Sequence, residues 1–179
     1  VYNGKVENWI KLANSLKLRM AMRMVYADPA TAQAKALEAI NSEYGGVLTT
    51  NDDNATIQAT TNPFRVIMYE YNGGDSRIAA DITAYMNGYK DPRREKYFVE
   101  STFTTEDGVK NGYYGIRLGT EPLPSETAHK YSNINVEAST KLVWMTAAEV
   151  AFLCAEGALR GWNMGGTAES FYQEGVELS

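Results

Sequence analysis

The sequence is short of the residues on which most enzyme chemistry depends. Among 179 residues there is one cysteine, Cys154, and one histidine, His129. A lone thiol excludes an internal disulfide framework and a thiolate metal cluster. A lone imidazole excludes paired-histidine metal sites and leaves little proton transfer near neutral pH. No apolar run approaches the roughly 18 residues of a membrane-spanning helix. Basic residues are the minority, 17 against 22 acidic, for a formal net charge of -5. Phosphate backbones are bound by clustered Lys and Arg, so no nucleic-acid partner is expected. There is no Gly-x-Ser-x-Gly elbow, no Walker loop and no histidine beside a nucleophile. Two carboxylates flanking a glycosidic bond remain conceivable, but with 22 acids some pair is always near, and its presence discriminates nothing. Neither a catalytic residue nor a cofactor is expected.

What is present is a folded chain. Hydrophobic residues make up 44% and prolines number only 5, a globular composition of one-domain length. Val1 is not an initiator methionine and Ser179 falls inside a helical pattern, so part of a longer chain is expected. Trp9, Leu12, Ala13, Leu16, Met20 and Met24 recur at helical spacing, and Leu18, Met22 and Val25 form a second stripe on the other side. A helix with two apolar faces is expected to sit between neighbours, as in stacked hairpins. Asp28-Pro29 starts a second, alanine-rich helix through Ile40, and Tyr44-Gly45-Gly46 stops it. From 47 to 75 the periodicity is lost. A helix over 76–88 with Asp75 as cap is predicted, and Phe98–Phe103 and Tyr113–Leu118 read as short strands or extended loops. Thr146 with Glu149 predicts a capping box, Gly161 a left-handed stop, and Thr167 the cap of a last helix. The expected architecture is mainly α: stacked helical hairpins over 1–44 and 144–179, with a loop-rich insert over 45–143.

Three stretches carry a resemblance. Trp9-Ile10-Lys11-Leu12-Ala13-Asn14-Ser15-Leu16-Lys17-Leu18-Arg19-Met20-Ala21-Met22-Arg23 resembles a signature helix of SusD/RagB-like proteins. Asp91-Pro92-Arg93 with Tyr97-Phe98 is similar to that family's Asp-Pro-Arg segment. Met145–Glu156 followed by Arg160-Gly161-Trp162 resembles its Ala-Glu-Val-x-Phe-Leu helix. The three appear in the family's order, joined by Tyr113-Tyr114-Gly115-Ile116-Arg117. The resemblance implies a tetratricopeptide-like helical scaffold behind a loop-rich ligand surface. It also implies an outer-membrane, surface-exposed lipoprotein of Bacteroidetes nutrient uptake, which binds an oligosaccharide or other nutrient and partners a SusC-like TonB-dependent transporter without catalysis. Membrane attachment would run through an N-terminal lipid anchor absent from this chain, here a central portion of the whole.

Sugar binding calls for flat aromatic faces and planar polar side chains. Eight of the twelve tyrosines fall between Phe64 and Tyr131. Tyr69, Tyr71, Asn72, Tyr113, Tyr114 and Arg117 are the ligand-binding candidates by residue type. The competing reading is that such tyrosines prop long loops, and that the chain is a helical-hairpin scaffold for protein–protein contact alone. Trp9 and Trp162 are expected in the core, and Trp144 is open. Asp52-Asp53-Asn54 offers oxygens to calcium but lacks EF-hand offsets, so a capped turn is expected and no metal. Arg19 and Arg23 should lie along their helix or pair with Glu, Glu156 and Arg160 should pair, and Cys154 should be a small buried apolar group.

Overall fold

Along the chain, the described helices are α1 (Val6–Arg23), α2 (Pro29–Ile40), α3 (Pro63–Tyr69), α4 (Ala80–Gly88), α5 (Arg94–Tyr97), α6 (Ser125–Ala128), α7 (Ala147–Leu159) and α8 (Ala168–Leu178). The structure, a computed structural model, describes residues 1–58, 60–103 and 112–179; the stretch between Phe103 and Gly112 of the expected insert lies outside these. Short strands form two antiparallel pairs among the described residues. β1 (Ala55–Ile57) pairs with β4 (Leu142–Met145), and β2 (Phe98–Val99) with β3 (Asn133–Ile134). The fold is mainly α, as the periodicity predicted, and divides into two units, residues 1–58 with 141–179, and residues 59–140.

The first unit holds the hairpins. Asp28 accepts a hydrogen bond from the Thr31 amide at 3.1 Å with Pro29 in the first turn, which starts α2 where the sequence places it. Ala32, Ala36 and Ala39 make a fully buried small-residue stripe that lets α2 lie close on α1. α1 packs on α2 and α7, and α7 on α8. The shared core takes Leu12, Leu18, Met22 and Val25 from α1 and its end, and Val150 and Cys154 from α7. Full burial of a side chain such as Leu18 is worth about 1.5–3 kcal/mol.

Here the structure corrects two expectations. Only the second stripe of α1 is covered in full. Of the first, Leu12 alone is buried, while Trp9, Leu16 and Met20 are 44%, 38% and 61% exposed. The capping box on α7 is half formed: Thr146 accepts from the Glu149 amide at 3.1 Å, but the Glu149 carboxylate leaves its own turn for Arg19. Gly161, at φ +83°, ends α7 in the left-handed conformation that a β-carbon would oppose. Thr167 and Ser170 cap α8 reciprocally.

The second unit is irregular but pinned. α3 was not anticipated. Its cap Asn62 is buried, accepts from the Phe64 and Arg65 amides, and donates to the Thr140 carbonyl at 2.8 Å. Residues 76–79 are not helical; α4 begins at Ala80, and Asp75 does not cap it. A small core of Ile78, Met86 and Phe98 is closed by Met68, Tyr113 and Ile134. Where no ladder satisfies the backbone, buried serines do. Ser132 Oγ accepts from the Tyr114 amide at 2.9 Å, and Ser101 Oγ donates to the Gly112 carbonyl at 2.7 Å.

Candidate functional site

Within the second unit, α4 presents Ala80, Thr83, Ala84 and Asn87 at helical spacing as one wall of a cleft. The segment Gly112–Gly115 forms the other wall, and Arg94 of α5 stands at its end. The cavity measures about 570 Å³, within the range of small-molecule sites.

The segment is held there by its backbone. The Ile116 amide donates to Ile78 O, and the Ala80 amide to Ile116 O, both at 2.8 Å. The Gly115 amide donates to Thr83 Oγ1 at 3.0 Å. A β-carbon at Gly115 would run into the carbonyls of Ala79 and Ile78, so only glycine permits the approach. The glycine of Tyr-Tyr-Gly-Ile-Arg is therefore what sets Tyr113 and Tyr114 beside α4.

Polar side chains then fix the tyrosine segment from behind. Asn87 Nδ2 donates to Tyr113 O at 2.7 Å, and Asn87 Oδ1 accepts from Arg94 Nη1 at 2.9 Å. Arg94 Nε donates to Asp91 O at 3.0 Å, and the guanidinium carbon stands 5.9 Å from the Tyr113 ring centre. The Asp91 carboxylate is taken by Arg93, with Nη2 at 2.7 Å and Nε at 3.0 Å, which holds its pKa down at about 2. Partial burial, and then the charges of Glu100 and Glu95, push the Tyr113 phenol above its ordinary range.

Of the six candidates read from the sequence, Tyr113 and Tyr114 line this cleft and the other four do not. Tyr69 is half-buried; its hydroxyl donates to Ile134 O at 2.5 Å and Arg65 stacks over its ring at 3.9 Å. Tyr71 and Asn72 are exposed on the turn Tyr71–Gly74, where Asn72 takes φ +55°. Arg117 is exposed just beyond the Ile116 backbone pairing. Sequence reading missed Thr83, Asn87 and Arg94, of which Arg94 had a signal in the Asp91-Pro92-Arg93-Arg94 run. Tyr85 of α4 and Tyr89 at its C-terminal cap form an exposed pair outside the cleft, with ring centres 4.7 Å apart.

The remaining reactive groups have structural duties. His129 Nε2 lies 2.9 Å from Asp75, which also accepts from Ser125 at 2.8 Å; this bond replaces the cap expected of Asp75. Cys154 is buried, and desolvation pushes its thiol pKa up to about 12. Asp53 is buried within the capped turn Asn51–Asp53, accepting from the Thr49 and Thr50 amides and pairing with Lys11 at 2.8 Å. Among the described residues no group of three or more His, Cys, Asp or Glu converges on a metal position. Arg160 pairs with Glu156 at 2.7 Å. Trp9 and Trp144 are exposed, against the core position expected of Trp9, whereas Trp162 packs on the hairpin core.

A family model described as SusD-like, "Susd and RagB outer membrane lipoprotein", matches residues 1–179. The chain belongs to the SusD-like family. A SusD homologue from Bacteroides thetaiotaomicron VPI-5482 is 48% identical, with a TM-score of 0.85 over 99% of this chain and 36% of its own. A chitin-binding SusD homologue from Flavobacterium johnsoniae is 40% identical, with a TM-score of 0.83 over 99% and 36%. A SusD homologue from Bacteroides uniformis ATCC 8492 is 45% identical, with a TM-score of 0.82 over 99% and 37%. Among curated proteins no match is found. This SusD-like chain therefore spans a little over a third of the length of these solved relatives. No helix among its described residues is long and apolar enough to cross a membrane.

Proposed function

We propose that this SusD-like protein binds a glycan, or a related nutrient, on the outer surface of the outer membrane and passes it unaltered to a TonB-dependent transporter. The observation that carries this reading is the cleft itself. Two tyrosines, an amide held by two partners and a guanidinium line a cavity of about 570 Å³. Aromatic faces suit the C–H sides of pyranose rings, and planar polar groups suit their hydroxyls. The chitin-binding relative at 40% identity supports the same class of ligand, and the family's description supports the outer membrane. Binding without chemistry fits the duties of the reactive groups, since the thiol is buried and the imidazole is bonded to Asp75.

The test is glycan retention. In affinity electrophoresis or calorimetry against a panel of oligosaccharides, the Tyr113→Ala, Tyr114→Ala double variant should lose about five- to a hundredfold in affinity, each stacking contact being worth about 0.5–1.5 kcal/mol. Tyr71→Ala, outside the cleft, should lose much less. Equal retention by all three proteins would remove the cleft from the site. Absence of binding by the parent protein would leave the scaffold reading, which the open apolar face of α1 favours.

A further inference from the structure

We propose that the cleft selects an acidic saccharide, one carrying a carboxylate or sulfate that is seated against Arg94. This rests on the glycan-binding reading above and narrows its ligand class. Arg94 is the one charged side chain among the described residues that line the cleft. Its hydrogen bonds there go to two neutral oxygens, the Asp91 carbonyl and the Asn87 amide. Asp91, three residues before it, has both carboxylate oxygens engaged by Arg93, although its charge also interacts with Arg94. Arg94 is half-buried, so water only partly solvates its charge. A guanidinium in that position has donors left for a planar, bidentate anion, the pairing to which its fork is matched.

Among the described residues, the other charges nearby do not fill this role. Glu95 is exposed and lies 3.7 Å from Lys96, and Glu100 is exposed; neither lines the cleft. After desolvation, their charges also raise the Tyr113 phenol, but the hydrogen bonds of Arg94 go to neither. The net charge of -5 gives an anion no long-range attraction. The preference is therefore local, a matter of which saccharide stays rather than how fast it arrives. Tyr113, with Arg94 near its ring, supplies the apolar surface beside the cation.

Matched pairs of saccharides test this on the full chain. One pair is an oligogalacturonate and its methyl ester; the other is a sulfated galactan oligosaccharide and its desulfated form. By calorimetry, the anionic member of at least one pair should bind about tenfold tighter than its neutral twin, the increment of a charge-assisted hydrogen bond. That ratio should shrink as salt rises, collapse in Arg94→Gln and survive in part in Arg94→Lys. A merely structural Arg94, acting by holding Asn87, lowers the affinity for both twins alike and leaves the ratio unmoved. The proposal is overturned if neutral and anionic twins bind equally, or if the ratio persists in Arg94→Gln. In those outcomes the neutral saccharides still bind and the broader glycan reading stands. If no saccharide of either pair, nor a neutral chitooligosaccharide, is retained, both fall together.

Discussion

Ser15 lies in the middle of α1 with no exposed surface. Its hydroxyl donates to Lys11 O at 2.7 Å and accepts from the Leu48 amide at 2.9 Å. Its neighbour Asn14 donates to Gly46 O at 2.8 Å. Two adjacent polar residues of the first signature helix thus hold the turn that follows α2, which explains why a serine occupies a core position between Leu12 and Leu18. Ser15→Ala would leave a buried amide without an acceptor, at a cost of about 1–3 kcal/mol. Urea unfolding should therefore give a lower midpoint at unchanged slope for Ser15→Ala. The half-exposed Asn14 can be replaced at smaller cost, because water reaches the Gly46 carbonyl it abandons.

Between elements, a bidentate polar tie joins Glu149 on α7 to Arg19 on α1. Nε and Nη2 both stand 2.6 Å from the two carboxylate oxygens. The side chains are 40% and 29% exposed, so solvent screens the pair and its worth is modest. A double-mutant cycle with Arg19→Ala and Glu149→Ala should return a coupling of about 1 kcal/mol, at the upper end for exposed pairs because the geometry is bidentate. A coupling near zero would mean that the helices are held by their apolar seam alone. This pair also marks where sequence reading stops. Asp28-Pro29, Thr146, Gly161 and Thr167 give away helix ends because a cap is a bond to the next turn. Glu149 and Asp75 also look like local caps, yet their partners lie 130 and 50–54 residues away. The same limit hid the back of the cleft. Tyr113 and Tyr114 were legible by type, but Asn87 and Arg94 reach them only through the fold. α3 escaped because a seven-residue helix gives too few turns for periodicity to register.

For the molecule as a whole, the unresolved balance is apolar surface. In the hairpin unit, Trp9, Leu16 and Met20 face solvent along α1. Leu159 and Tyr172, 80% and 60% exposed, edge an apolar groove between α7 and α8 of about 460 Å³. Periodicity finds two apolar stripes on α1 but cannot tell which of them is covered, because a stripe records only a preference for leaving water. Stacked-hairpin proteins ordinarily close their ends with polar faces, and these faces are not polar. Contiguous exposed apolar surface of this kind binds hydrophobic dyes, whereas scattered exposed side chains do not. The native chain should therefore enhance an anilinonaphthalene dye well below its unfolding transition, and Met20→Glu with Leu159→Lys should remove most of that signal. Both side chains already lie mostly in water, so the double variant should melt within a few degrees of the parent, the small effect expected of surface substitutions. A large fall in melting temperature would mean that the two residues pack against something in the folded chain; an unchanged dye signal would place the apolar surface elsewhere.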